Sequence, residues 1–222
     1  MLDKNLKIGI LGSGAVGRVM ASAFLNEGHE VMLGTRNTSK EEVVKWKNDH
    51  AAGKTGKFAE AASFGDVLVL CVEGDVVEEV IKQSGAENLT SKVVIDTTNP
   101  IAKEAPVNGV LKYFTAPNES LMERIQQLLP EAYVVKAFNS VGNAAMYKPD
   151  YGGIKPTMFI CGNNDDAKKT VTAILDVFGW ETEDMGKAEA ARAIEPLCML
   201  WCIPGFVKNQ WTHAFKLLKT PQ

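Results

Sequence analysis

Residues 7–17 read Lys7-Ile8-Gly9-Ile10-Leu11-Gly12-Ser13-Gly14-Ala15-Val16-Gly17. An apolar run of strand character breaks into G-x-G-x-x-G, after which Val16, Val19, Met20, Ala23 and Phe24 recur at helical spacing. Each glycine has its own task in such a strand-turn-helix unit. Gly12 permits the tight turn, Gly14 lets a pyrophosphate approach the backbone, and Gly17 lets helix and strand pack closely. The helix opens with free N–H groups and the positive end of its dipole, which suits an anion. All six residues, Gly12, Ser13, Gly14, Ala15, Val16 and Gly17, are therefore expected to line a dinucleotide.

Residues 30–33, 67–71, 93–96 and 133–136 are further apolar runs rich in Val and Ile. Helix-period segments lie between them, such as Val76, Val77, Val80 and Ile81. Continuous apolar strands of this kind suit a sheet buried on both faces. The expected fold class is α/β, a doubly wound, mostly parallel Rossmann sheet with a C-terminal α/β extension. Residues 1–140 would form the dinucleotide-binding domain and residues 141–222 the extension. In the extension we expect a strand at 157–161, a helix at 165–178, a short strand at 181–184, and a last helix at 187–200 that Pro204 ends.

The 222 residues are 45% hydrophobic and 23% charged, with a formal charge of -3. That composition supports a packed core and offers no basic field for nucleic acid or anionic lipid. Met1-Leu2-Asp3-Lys4-Asn5 has no leader-like pattern, and a cytoplasmic location is expected. The apolar segment 196–207, interrupted by Pro204 and Gly205, falls short of the roughly 20 residues needed to cross a bilayer, so a buried helix and no membrane are expected. The four cysteines are scattered. Cys198 and Cys202 share a helical face, with no histidine nearby to complete a zinc site, and no metal is expected.

The end of the second strand faces the adenosine ribose, where NAD sites carry Asp or Glu. This chain has Gly34-Thr35-Arg36-Asn37-Thr38-Ser39-Lys40 instead. Arg36 can fork onto a 2'-phosphate, Thr35 can donate a hydroxyl, and Lys40 adds a point charge. The expected cofactor is NADP(H). Ligands of such sheets lie outside the carboxyl ends of the strands. That directs attention to Cys71, Val72 and Glu73, to Asn99 and Pro100 after Thr97-Thr98, and to Ala137, Phe138 and Asn139. Their backbone and polar groups could hold the nicotinamide ribose and amide. Asn99 and Asn139 equally suit plain turn chemistry. His29, His50 and His213 fall away from these ends, so catalytic residues stay unassigned. A hydride transfer between rings needs alignment more than a placed base, which favours a redox-ring acceptor.

Together, the glycine loop, Gly34-Thr35-Arg36, Asp96-Thr97-Thr98-Asn99-Pro100 and Val135-Lys136-Ala137-Phe138-Asn139 resemble the family of NADP reductases that use the deazaflavin coenzyme F420. They are also similar to the cytosolic domain of the six-transmembrane ferric reductases. The resemblance continues through residues 159–165 and 191–196. It implies a C-terminal block joined to the same sheet, often a dimer, with Thr35, Arg36 and Lys40 on the 2'-phosphate. It implies further that Ala137, Phe138 and Asn139 sit near the nicotinamide, beside a deazaflavin or flavin. Glu73-Gly74 departs from relatives that carry a proline or a bulkier residue there.

Three functions are open to such a chain. One is hydride transfer between NADP(H) and a deazaflavin or flavin-like acceptor, with residues 141–222 forming the acceptor site and dimer contact. Another is an NADPH-dependent imine or hydroxyacid reductase or dehydrogenase, whose usual helical C-terminal domain is longer than the 80 or so residues available here. The third is a binding protein that senses NADPH without chemistry.

Overall fold

The computed structural model describes residues 5–220. The elements alternate along the chain: β1 (Lys7–Leu11), α1 (Ala15–Asn26), β2 (Glu30–Gly34), α2 (Glu41–Asp49), β3 (Lys54–Gly56), α3 (Phe58–Phe64), β4 (Val67–Leu70), α4 (Val77–Ser84), β5 (Val93–Asp96), α5 (Leu121–Leu128), β6 (Tyr133–Lys136), β7 (Thr157–Gly162), α6 (Asp165–Val177), β8 (Glu181–Asp184) and α7 (Ala191–Lys208). One eight-stranded sheet results, ordered β3-β2-β1-β4-β5-β6-β7-β8. Every neighbouring pair is parallel except β6 with β7. The strand order reverses between β1 and β4, and the crevice at that switch point is where such sheets hold ligands.

The apolar runs read from the sequence are strands because both of their faces are covered. In β4 all four residues are buried, Val67 and Val69 in the core beneath α1 and α6, Leu68 and Leu70 in the core beneath α3, α4 and α5. This two-residue alternation places one side chain after another in opposite layers. The C-terminal block adds β7 and β8 to the same sheet, covered on one face by α6.

Three elements lie outside the sequence expectation. β3 is only Lys54-Thr55-Gly56, too short and polar to announce itself, and pairing with β2 makes it a strand. α3 and α5 are also short, and α5 is defined by a capping box in which Ser120 accepts from the Glu123 amide.

The last helix departs furthest from expectation. α7 begins at Ala191 after a 3-10 turn and passes through both Pro196 and Pro204 to Lys208. Proline costs about 3 kcal/mol inside a helix, and here packing offsets it. Trp201 is buried, its indole donates to the His213 carbonyl at 2.8 Å, and the Trp211 ring covers Gly205 so closely that a Cβ there would lie 2.3 Å from it. The helix stops instead at Asn209, which takes the left-handed conformation. With its leading turn the segment is 21 residues long with mean hydropathy 1.3, long and apolar enough to span a bilayer by length and composition. Length therefore does not decide against a membrane, contrary to expectation. Glu195 in the same helix is fully committed to the interior of the α/β core.

Candidate active site at the strand carboxyl ends

The glycine loop has the form its sequence implies. Gly12 sits at φ +133°, and a Cβ there would meet the Cys71 carbonyl oxygen at 2.2 Å. A Cβ on Gly17 would lie 1.8 Å from the Gly12 carbonyl oxygen. Gly14 has open space where a Cβ would project, and it begins α1 with no side-chain cap. The first amides of α1 thus face an uncovered cradle, which fits a pyrophosphate.

The loop after β2 is held from three elements. Ser13 donates its hydroxyl to Thr35 Oγ1 at 2.9 Å, joining the β1 and β2 loops. The Thr35 amide donates to the Gly56 carbonyl at the end of β3, and Lys57 Nζ donates to the Arg36 carbonyl at 2.6 Å. Arg36 and Lys40 stand exposed on this loop, with Arg36 free of any carboxylate partner among the described residues; Lys40 faces Glu42 at 3.7 Å. The loop is held by its backbone and its cations point outward, as a 2'-phosphate site requires.

At the other end, Cys71 and Val72 follow β4 and Glu73 is exposed. Burial pushes the Cys71 thiol up to about 12, which leaves it a packing group without acid-base use. Gly74 explains the departure at Glu73-Gly74, since a Cβ there would lie 2.1 Å from the Asn99 carbonyl oxygen and hold the β4 and β5 loops apart. Asn99 and Asn139 bind each other. Asn99 Nδ2 donates to the Asn139 carbonyl at 2.8 Å, and Asn139 Nδ2 donates to Asn99 Oδ1 at 3.2 Å and to the Ile194 carbonyl at 3.0 Å. Pro100 is buried behind them and Ala137 lies at the β6 end. Phe138 is at φ +62° with its ring inside the core, 6.0 Å from Phe178, so only its backbone faces the strand ends.

Beneath this pair lies a cluster that motif reading missed. Lys136 is fully buried, and its ammonium touches Asp96 Oδ2 at 2.7 Å, Glu195 Oε1 at 2.8 Å and the Thr98 carbonyl at 2.9 Å. Asp96 Oδ1 accepts from both the amide and the hydroxyl of Thr98. The Glu195 carboxylate also caps α5, accepting from the Leu121 and Met122 amides at 3.0 Å each. Burial alone would lower the Lys136 pKa, but the Asp96 and Glu195 carboxylates outweigh it and the net shift is upward. The available signal was two apolar strands, VVID and YVVK, ending in opposite charges that fall in register.

The three histidines are elsewhere. His29 precedes β2 at the amino end of the sheet, His50 follows α2, and His213 bonds the Trp201 carbonyl. A groove of about 870 Å³ lies at the far edge, between α6 and β8. Its Lys155 and Lys168 are paired with Asp176 and Asp184 at 2.8 Å and Lys169 with Asp166, so each of its lysines already has a carboxylate.

Residues 7–100 match the family described as NADP oxidoreductase, coenzyme F420-dependent. A protein structure from Arthrobacter sp. FB24, described provisionally as an F420-dependent NADP reductase, is 30% identical and superposes with a TM-score of 0.90, covering 97% of this chain and 100% of that one. The chain belongs to this family. The F420-dependent NADP reductase of Methanocaldococcus jannaschii is 28% identical over 88% of the chain and 90% of its own length. The metalloreductase STEAP3 of Rattus norvegicus is 30% identical over 89% of the chain, which spans only 38% of the rat protein. Membership makes the chain an NADP-dependent oxidoreductase by class.

Proposed function

We propose that this family member transfers hydride between NADP(H) and a deazaflavin of the coenzyme F420 type, or a flavin-like ring, laid against the nicotinamide. The observation that carries the reading is the pairing of the Gly12–Gly17 cradle and Arg36 loop with strand ends whose groups are amide side chains and a buried, inert thiol. Such a floor aligns two rings and lets solvent supply the proton on the acceptor. Gly12 to Gly17 hold the pyrophosphate, Thr35, Arg36 and Lys40 the 2'-phosphate. The groups around Cys71, Val72, Glu73, Asn99, Pro100, Ala137, Phe138 and Asn139 hold the nicotinamide end. When bound, NADPH supplies the hydride; the chain's part is proximity and orientation.

The dinucleotide domain extends over residues 1–140, and residues 141–222 complete the acceptor side and the contact in a soluble, cytoplasmic homodimer. The exposed Leu200, Phe206, Val207 and Trp211 of α7 and its tail support that contact. Stopped-flow oxidation of NADPH with coenzyme F420, flavins, ferric chelates, imines and ketones in parallel tests the reading. F420 or a flavin should react fastest. A carbonyl or imine that outpaces both would replace the reading with that of a reductase of such substrates, and tight NADPH binding without turnover would make the chain a sensor.

A further inference from the structure

The cluster under Asn99 and Asn139 carries an uneven charge. Asp96 Oδ1 accepts from the Thr98 amide and hydroxyl, and its Oδ2 lies 2.7 Å from the Lys136 ammonium with no other partner, while the two Glu195 oxygens accept from the Leu121 and Met122 amides, so two carboxylates face one shared cation. One ammonium, Lys136, stands against them. All three side chains are 2% exposed or less, so water does not screen the surplus. The positive end of α5 takes up part of it. The remainder lies at the carboxyl ends of β5 and β6, on the side of the sheet crevice assigned to the nicotinamide.

Resting on the hydride-transfer reading above, we infer that the Asp96–Lys136–Glu195 cluster sets the redox preference of the bound nicotinamide, favouring the cationic oxidised ring over the neutral reduced one. When hydride leaves C4 of NADPH, two electrons and one proton go to the acceptor ring and the nicotinamide becomes positive. Solvent protonates the acceptor. A fixed, unscreened negative charge placed before the reaction stabilises that developing positive charge and makes bound NADPH a stronger hydride donor. None of the three residues touches the reacting atoms; they act through the field and through the peptide at Ile194 that holds Asn139.

The test compares dissociation constants of NADP+ and NADPH for the full chain and for Glu195→Gln and Asp96→Asn. Each variant removes one negative charge at nearly constant shape. Asn at 96 keeps an oxygen for both Thr98 donors and sets its Nδ2 toward Lys136, which retains Glu195 as a partner, whereas Gln at 195 sets an amide against the α5 N–H groups, so the two variants carry different local costs. Circular dichroism checks folding in both. The expected result is NADP+ binding weakened about threefold or more with NADPH binding little changed. Equal weakening of the two nucleotides, or an unchanged ratio, overturns the inference and leaves the cluster a structural clamp. Failure of the unmodified protein to bind either nucleotide overturns the hydride-transfer reading itself.

Discussion

Ser13 and Thr35, twenty-two residues apart, share a hydroxyl–hydroxyl hydrogen bond of 2.9 Å that ties the glycine loop after β1 to the loop after β2. Thr35 also accepts from the Asn37 amide at 3.3 Å, so one buried side chain shapes the turn that presents Arg36. Thr35→Val keeps the volume and removes these bonds. NADPH affinity should fall about tenfold, since a lost hydrogen bond to a charged phosphate contributes roughly 1.5–3 kcal/mol. NADH affinity should change much less, and titration of both nucleotides checks it.

Arg36 gives a sharper version of that discrimination. Its side chain has no carboxylate partner among the described residues, so Arg36→Ala breaks no ion pair in the fold. Thermal stability should hold within about 0.5 kcal/mol, while NADPH binding weakens about tenfold or more relative to NADH. An unchanged ratio of the two dissociation constants would remove Arg36 from the 2'-phosphate site.

Gly17 is decided by packing. A methyl group there would sit 1.8 Å from the Gly12 carbonyl oxygen, a backbone atom with nowhere to go. Gly17→Ala should force α1 away from the loop, costing about 1–3 kcal/mol or more in urea unfolding, and should abolish tight NADPH binding. Gly14→Ala meets open space and should leave stability nearly unchanged while weakening the dinucleotide.

Removal of the buried ammonium is expected to be the most damaging single change. Lys136→Met leaves Asp96 and Glu195 buried without their shared counter-ion. The loss should be about 3–5 kcal/mol by denaturant titration, because breaking a buried pair strands its partner charges. A loss under 1 kcal/mol would mean that the carboxylates take up protons or water with little strain.

Stability should also fall as the pH is lowered from 7 toward 5. Burial holds the His29 pKa below its ordinary 6.5, with Glu27 opposing weakly, and Nδ1 of the ring has no hydrogen-bond partner. Below about 6.5 the unfolded chain takes a proton that the folded chain refuses, so the unfolded state is favoured. Glu27 acts lower down. Bonds from Lys148 and Tyr147 hold its pKa below 4.5, so its contribution is present above that value and lost as the pH falls through its folded pKa. His29→Leu should flatten the slope between pH 7 and 5 and leave the steeper loss below 4.5 in place.

The glycine turn, the parallel core and the cofactor class were legible in the chain before it folded. These depend on local chemistry: three glycines at set spacing, apolar strands of Val and Ile, and Arg36 where an acidic residue would repel a phosphate. Other features arise from long-range packing. β3 is a strand because β2 offers its edge, and through Gly56 and Lys57 it shapes the Arg36 loop from outside that loop's own sequence. α7 runs through two prolines while the Trp201 indole donates to the His213 carbonyl and the Trp211 ring lies against Gly205, contacts with the tail that no local propensity contains. Phe138 reads as a nicotinamide neighbour in sequence, yet its left-handed backbone turns the ring into the core. Asp96, Lys136 and Glu195 lie up to 99 residues apart, and their meaning arises only where β5, β6 and α7 bring three charges out of water together. Local sequence sets what a segment can bind; long-range packing sets which charges are buried beside it.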